Sequence, residues 1–279
     1  MRAIVVGATG AVGRDLVEAL CADPRYTEVR TFTRRELGVD EPKLRPYVVD
    51  FERTEGWHDL VQGDVIFSAL GTSKKQAGSK EAQYHIDHDY QLMFATFAKQ
   101  NGVRHMVLVS SAGADTGSSF FYMKLKGVIE RDVEALGFAG LTIVQPPSLI
   151  RKHAKRPLET ISVKALQALN AIGLFKSMAP ISTEIVAQCM AEAGGEPFEG
   201  VRRISKQAIR RFAESKRLFP HIDQPHHVRQ HPANGNGQPN ANFSHHCGQH
   251  IGQQHPGAQG NDRQHHAHPR LFQRPVQPV

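Results

Sequence analysis

The sequence predicts an α/β protein built on a doubly wound parallel sheet. Three observations carry that prediction. Short runs of β-branched and apolar residues alternate with longer stretches whose apolar residues recur every three or four positions. The short runs are apolar almost throughout, as strands covered on both faces must be. The first run ends in a small-residue turn, Gly7 to Gly13 (G-A-T-G-A-V-G), that opens directly into a helical pattern.

Taken in chain order, strands are expected at Ala3–Val6, Val29–Thr33, Tyr47–Val49, Val65–Ala69, Met106–Ser110 and Leu141–Val144. Helical periodicity marks Ala11–Cys21, Glu81–Gln100 and Phe120–Leu136 between them, so each helix crosses over from one strand to the next. Residues 1–216 form one expected domain, long enough to bury a substantial core, with a small substrate-covering region at about 148–200. Ser182 or Thr183 is placed to cap a helix there. From His221 the composition changes: the last 59 residues hold eleven of the sixteen histidines, with much Gln, Asn, Pro and Gly and few large apolar side chains. Residues 217–279 are therefore expected to be a disordered low-complexity tail. His245, His246, Cys247 and His250 lack regular ligand spacing, so no metal site is expected.

Composition narrows the function classes. The formal charge of +7 is spread among interspersed acids, and the basic stretches Arg151–Arg156 and Arg202–Arg217 offer no aromatic platform for bases, so nucleic acid is not expected as a partner. Arg151, Lys152, Lys155 and Arg156 are read as a solvated loop ahead of an anion-attracting one. The cysteines Cys21, Cys189 and Cys247 are odd in number and widely spaced, which fits a reducing compartment. No stretch has the roughly 18 apolar residues of a membrane span, and the start reads as a strand instead of a secretory signal. A cytoplasmic protein is expected.

The turn at Gly7, Gly10 and Gly13 has the chemistry of a pyrophosphate cradle. Small residues let backbone approach the anion, and the free amides of Ala11, Val12 and Gly13 at the helix start, with the helix dipole, stabilise negative charge. Thr9 adds a hydroxyl donor. This is the position of the dinucleotide-binding turn of a Rossmann fold. After the second strand, where an acid would hold a ribose 2′-hydroxyl, stand Thr33, Arg34 and Arg35, a pair of guanidiniums suited to a 2′-phosphate. NADP(H) is thus expected over NAD(H), although Glu36 follows directly. Asp50, after the third strand, is a candidate for the adenine amino group or for a helix cap.

Beyond the fifth strand come Ser110 and Ser111, then Tyr122 and Lys126, four residues apart and so on one helix face. Lys126 is expected to lower the tyrosine's pKa, making Tyr122 a proton donor, with Ser111 holding a substrate carbonyl oxygen. Lys126 would also hold the nicotinamide ribose. Lys124 lies off that face.

These motifs, together with F-S-A-L-G-T-S-K-K-Q-A-G at 67–78, H-D-Y at 88–90, V-S-S-A-G-A-D at 109–115 and Y-M-K-L-K-G-V-I-E from Tyr122, resemble the atypical short-chain dehydrogenase/reductase superfamily of NAD(P)-binding Rossmann proteins. Within it they resemble the Tat-interacting oxidoreductase group, over residues 1 to about 215. The resemblance implies NADPH binding, with Ala69, Leu70 and Gly71 along the adenosine and ribose side and Pro146 flanking the nicotinamide. Where such proteins commonly carry Arg-Pro-Gly, this chain has Gln145, Pro146 and Pro147, and the second proline stiffens the substrate loop. The expected function is an NADP(H)-dependent oxidoreductase acting on a small carbonyl or alcohol substrate. The alternative is an NADPH-binding redox-sensing regulator that meets a protein partner without turnover. A sugar-nucleotide epimerase or dehydratase ranks third, because only about 70 residues remain for a substrate lobe.

Overall fold

The computed structural model describes residues 1–150, 180–196 and 198–218, all within the unit Met1–His227. Along the chain run β1 (Arg2–Val6), α1 (Ala11–Ala22), β2 (Glu28–Thr33), β3 (Leu44–Val48), β4 (Val65–Ser68), α2 (Lys74–Ala77), α3 (Lys80–Tyr84), α4 (Tyr90–Gln100), β5 (His105–Val109) and α5 (Phe121–Glu134). There follow β6 (Gly140–Val144), β7 (Leu149–Ile150), β8 (Ile181–Ser182), α6 (Thr183–Gly195), β9 (Gly200–Ile204) and α7 (Lys206–Leu218).

Seven strands form a parallel sheet in the order β3-β2-β1-β4-β5-β6-β9. β1 is buried from Ala3 to Val6, as the centre of a doubly wound sheet requires. Its alternate residues feed opposite layers. Ala3 and Val5 pack with Val65, Phe67 and Val107 against α1 and α6, whereas Ile4 and Val6 pack with Ile66, Met106 and Leu108 against α4 and α5. Chain order reverses between β1 and β4, and that reversal opens a crevice at the carboxyl ends of the two strands.

Three elements differ from the sequence expectation. The helix expected over Glu81–Gln100 is interrupted by one π-helical turn, His85–Asp89, between α3 and α4. The wide turn carries both Asp87 and His88 inward, with exposures of 1% and 6%. There the Gln91 side-chain amide donates to the Asp87 carbonyl oxygen and Ser68 Oγ donates to Gln91 Oε1 at 2.6 Å, which satisfies the backbone of the turn but leaves Asp87 Oδ2 without a hydrogen-bond partner among the described residues. β9 adds a seventh strand beside β6. It is held there by Arg202, whose guanidinium donates to Thr142 Oγ1 at 2.9 Å and the Ala193 carbonyl at 2.7 Å, so part of the basic Arg202–Arg217 stretch fastens the fold. Finally, the last part of the expected covering region is α6, capped by Ser182 and packed on α1 in the core. Arg151–Arg156, the rest of that region to Ala179, and the His-rich tail lie outside the described residues.

Candidate functional site

Gly7 leaves β1 with φ +87°, and a Cβ there would stand 2.6 Å from the Ala69 carbonyl carbon and from the Leu70 nitrogen. Gly13, in the first turn of α1, faces the backbone of Gly7 and Ala8. The turn is closed by Gly10 N donating to the Gly7 carbonyl at 2.9 Å. Gly10 is the helix N-cap and offers no side chain to the first turn, which also carries no acid. The amides of Ala11, Val12 and Gly13 therefore keep their capacity for an anion. Val12 contributes backbone alone, because its side chain is core.

A cleft of about 300 Å³ beside this turn is lined by Gly7, Thr9, Phe32, Thr33, Arg34, Arg35, Phe51 and Leu70. Thr33 Oγ1 is buried without a hydrogen-bond partner among the described residues. The Arg34 guanidinium lies 5.9 Å over the Phe51 ring, and Arg34 and Arg35 are both exposed. The glycine cradle, the uncapped amides and this orphaned hydroxyl together suit a dinucleotide with an adenine over the aromatic end. Phe32 and Phe51 were not singled out from sequence; an aromatic directly after the third strand was the available signal. Asp50 caps no helix: it is exposed, its Oδ1 accepts from Glu52 N at 3.0 Å in a tight turn after β3, and its carbonyl accepts from the Trp57 indole at 3.0 Å.

The chemical end lies past β5. Ser110 N donates to the Val144 carbonyl at 2.8 Å and Ala112 N to the Pro146 carbonyl at 2.9 Å, so the loops after β5 and β6 are tied together and Pro146 is buried among them. Ser110 Oγ is buried with no partner among the described residues. Ser111 faces the Tyr122 hydroxyl while its own Oγ donates to the Ala112 carbonyl at 3.4 Å, and Lys126 Nζ sits 5.9 Å from the Tyr122 ring centroid. Lys126 is 3% exposed, while Lys124 points to solvent. Gln145 Nε2 donates to both oxygens of the buried Glu130, at 3.0 and 3.2 Å.

One sequence expectation is corrected here. The tyrosine's pKa is raised, chiefly by desolvation at its hydroxyl end, although the residue as a whole is 40% exposed, and then by the charge of Asp87, against the lowering effect of Ser111. Asp87 accepts from Thr72 N at 2.7 Å and faces Lys126, so the lysine's field at the phenol is opposed by a carboxylate that residue spacing along the helix did not reveal. Burial lowers the Lys126 pKa, with Asp87 and Glu130 opposing that change. A side of Gly71 looks onto both groups: a Cβ there would lie 3.9 Å from Asp87 Oδ2 and 3.9 Å from Lys126 Nζ.

The family model for NAD(P)H-binding proteins matches residues 7–197. Protein FMP52, mitochondrial, of Saccharomyces cerevisiae is 39% identical over 154 residues, which span 54% of this chain and 66% of that protein. Protein HTATIP2 of Rattus norvegicus is 35% identical over 170 residues, 59% of this chain and 70% of that one. A solved UDP-glucose 4-epimerase from Thermotoga maritima, bound to UDP-glucose, shares the fold at TM-score 0.56 and 14% identity over 81% of this chain and 84% of its own. The cytoplasmic expectation is overturned by these relatives, since the fungal FMP52 proteins are named mitochondrial. Neither free cysteines nor the lack of a membrane-spanning helix among the described residues distinguishes the two compartments. By the match over most of its described residues, the chain belongs to the NAD(P)H-binding family of atypical short-chain dehydrogenase/reductase proteins.

Proposed function

We propose that this protein is an NADP(H)-dependent oxidoreductase that reduces a small carbonyl compound, with Ser111, Tyr122 and Lys126 as its chemical residues. The observation that carries this reading is the gathering of all three past the carboxyl end of β5: Ser111 facing the Tyr122 hydroxyl, and a buried lysine 5.9 Å from the tyrosine ring. Preference for the phosphorylated cofactor rests on Arg34 and Arg35 at the cleft where a 2′-phosphate would lie.

When bound, the nicotinamide supplies a hydride. The chain's own residues do the rest. Ser111 Oγ donates a hydrogen bond to the substrate oxygen, and Tyr122 Oη delivers the proton that oxygen needs as charge develops on it. A phenol whose pKa is raised stays protonated across neutral pH, which suits the reductive direction. Lys126 offers a buried positive charge to the ribose hydroxyls, and Pro146 walls the nicotinamide end. Gly7, Thr9, Gly10, Ala11, Val12 and Gly13 hold the pyrophosphate, with Ala69, Leu70 and Gly71 along the adenosine and ribose.

Tyr122→Phe tests the assignment. It keeps the ring but removes the proton, so NADPH oxidation in a carbonyl screen falls on the order of 10²- to 10⁴-fold while NADPH affinity changes little. Turnover equal to that of the unaltered protein would overturn the role given to Tyr122. Tight NADPH binding without turnover on any carbonyl would favour a cofactor-sensing role.

A further inference from the structure

We propose that Asp87, which the π-helical turn carries into the site, is a positioning residue: its carboxylate is the counter-charge that keeps Lys126 protonated and directed at the cofactor ribose. This rests on the reading of Lys126 given above. Asp87 is 1% exposed, and its two oxygens are used unequally. Oδ1 accepts from Thr72 N at 2.7 Å, whereas Oδ2 is buried with no hydrogen-bond partner among the described residues. That free oxygen and Lys126 Nζ both border the same point beside Gly71, each 3.9 Å from where a Cβ there would lie. A buried ammonium and a buried carboxylate are each strongly disfavoured alone and mutually stabilising together.

The surroundings leave Asp87 few other charges to answer. From α5 it faces Lys126 and the Tyr122 hydroxyl, and Glu130 faces Lys126 from one turn further along. Thr72 meets it from the loop after β4 and Gln83 from α3, both neutral. Gln91 of α4, also neutral, is bonded to its carbonyl. Within its own turn, His85 bonds Glu52 and Asp89, and His88 bonds Asp89 and Asp132, so neither imidazole is directed at Asp87. The same carboxylate opposes the lowering that burial imposes on the Lys126 pKa and adds to the rise that burial gives the Tyr122 pKa, so in both cases it favours the protonated form that a reduction uses.

The test is NADPH affinity, followed by nucleotide fluorescence from pH 6 to pH 10 on the full chain. Affinity is expected to fall through an alkaline step that Lys126→Met abolishes, and Asp87→Asn, which keeps the acceptor for Thr72 N, should move that step about one unit or more toward acid. A step that stays in place in Asp87→Asn overturns the proposal. Should Asp87→Asn fail to fold alone, the double variant with Lys126→Met decides. Removing the stranded carboxylate should raise the Tm of Lys126→Met, and a lower Tm refutes the pairing. Turnover measured alongside separates the two readings, because an acid-shifted binding step in a protein that reduces no carbonyl leaves Asp87's role intact and removes the reductase assignment.

Discussion

Gly13 meets Gly7 backbone to backbone: a Cβ on Gly13 would stand 2.1 Å from the Gly7 carbonyl oxygen. Neither backbone can yield, because Gly7 is itself closed against Ala69 and Leu70. Gly13→Ala is therefore expected to cost about 3 kcal/mol or more, the upper end of overpacking penalties, and to abolish dinucleotide binding. Gly10→Ala places its Cβ 3.1 Å from the same oxygen, a far milder clash, and should cost about 1 kcal/mol, well below Gly13→Ala, while weakening NADPH binding. Chemical denaturation and cofactor titration of both variants check the contrast. Equal stabilities would contradict it.

Arg35 offers the cleft a guanidinium that, unlike that of Arg34, does not sit over Phe51. Arg35→Glu should weaken NADPH about tenfold to a hundredfold, the loss of one charge-assisted hydrogen bond, and leave NADH nearly unaffected. Calorimetric titration with both cofactors measures the difference. A parallel loss for both would end the 2′-phosphate assignment.

Gln145 donates both of its short contacts to Glu130, which is 6% exposed and has Arg203 Nε at 3.8 Å as a further partner. Gln145→Ala leaves that carboxylate under-bonded and should cost about 1–3 kcal/mol by urea unfolding. Arginine in its place should pair with Glu130 and keep stability near that of the unaltered chain.

His85 bridges Asp89 at 2.9 Å and Glu52 at 3.0 Å, and those two carboxylates raise its pKa. A base whose folded pKa exceeds its unfolded value of about 6.5 adds stability that is fully present below pH 6.5 and lost as pH rises through the folded value. The Tm gap between the unaltered chain and His85→Gln should thus be widest near pH 6 and narrow as the pH rises. The imidazole is 44% exposed, so the gap should be small and should shrink with salt. A gap that widens with pH would be inconsistent with the bridge.

Legibility followed the range of the interaction. The glycine turn was readable because its three positions act through backbone they share locally, and Tyr122 with Lys126 because one helical turn brings them to one face. Asp50, read from sequence as an adenine contact or a helix cap, begins no helix; its carboxylate closes a local turn on Glu52 N. β9 was missed because Val201-Arg202-Arg203-Ile204 carries too little apolar character by itself. Its arginines are held by Thr142, Ala193 and Glu134, partners distant in sequence.

The sequence by itself determined the doubly wound sheet, the phosphate turn and the tyrosine–lysine face, all of which follow from periodicity and from backbone geometry that only small residues permit. The tertiary structure alone decided the electrostatics of the site. A π-helical turn rotates Asp87 under Gly71 and against Lys126, from a helix that pattern reads as continuous, and a charge's effect depends on distance and burial. Burial of the phenol, and after it the position of that carboxylate, both set by packing between elements far apart in the chain, raise the pKa of a tyrosine that spacing alone had marked for acidification.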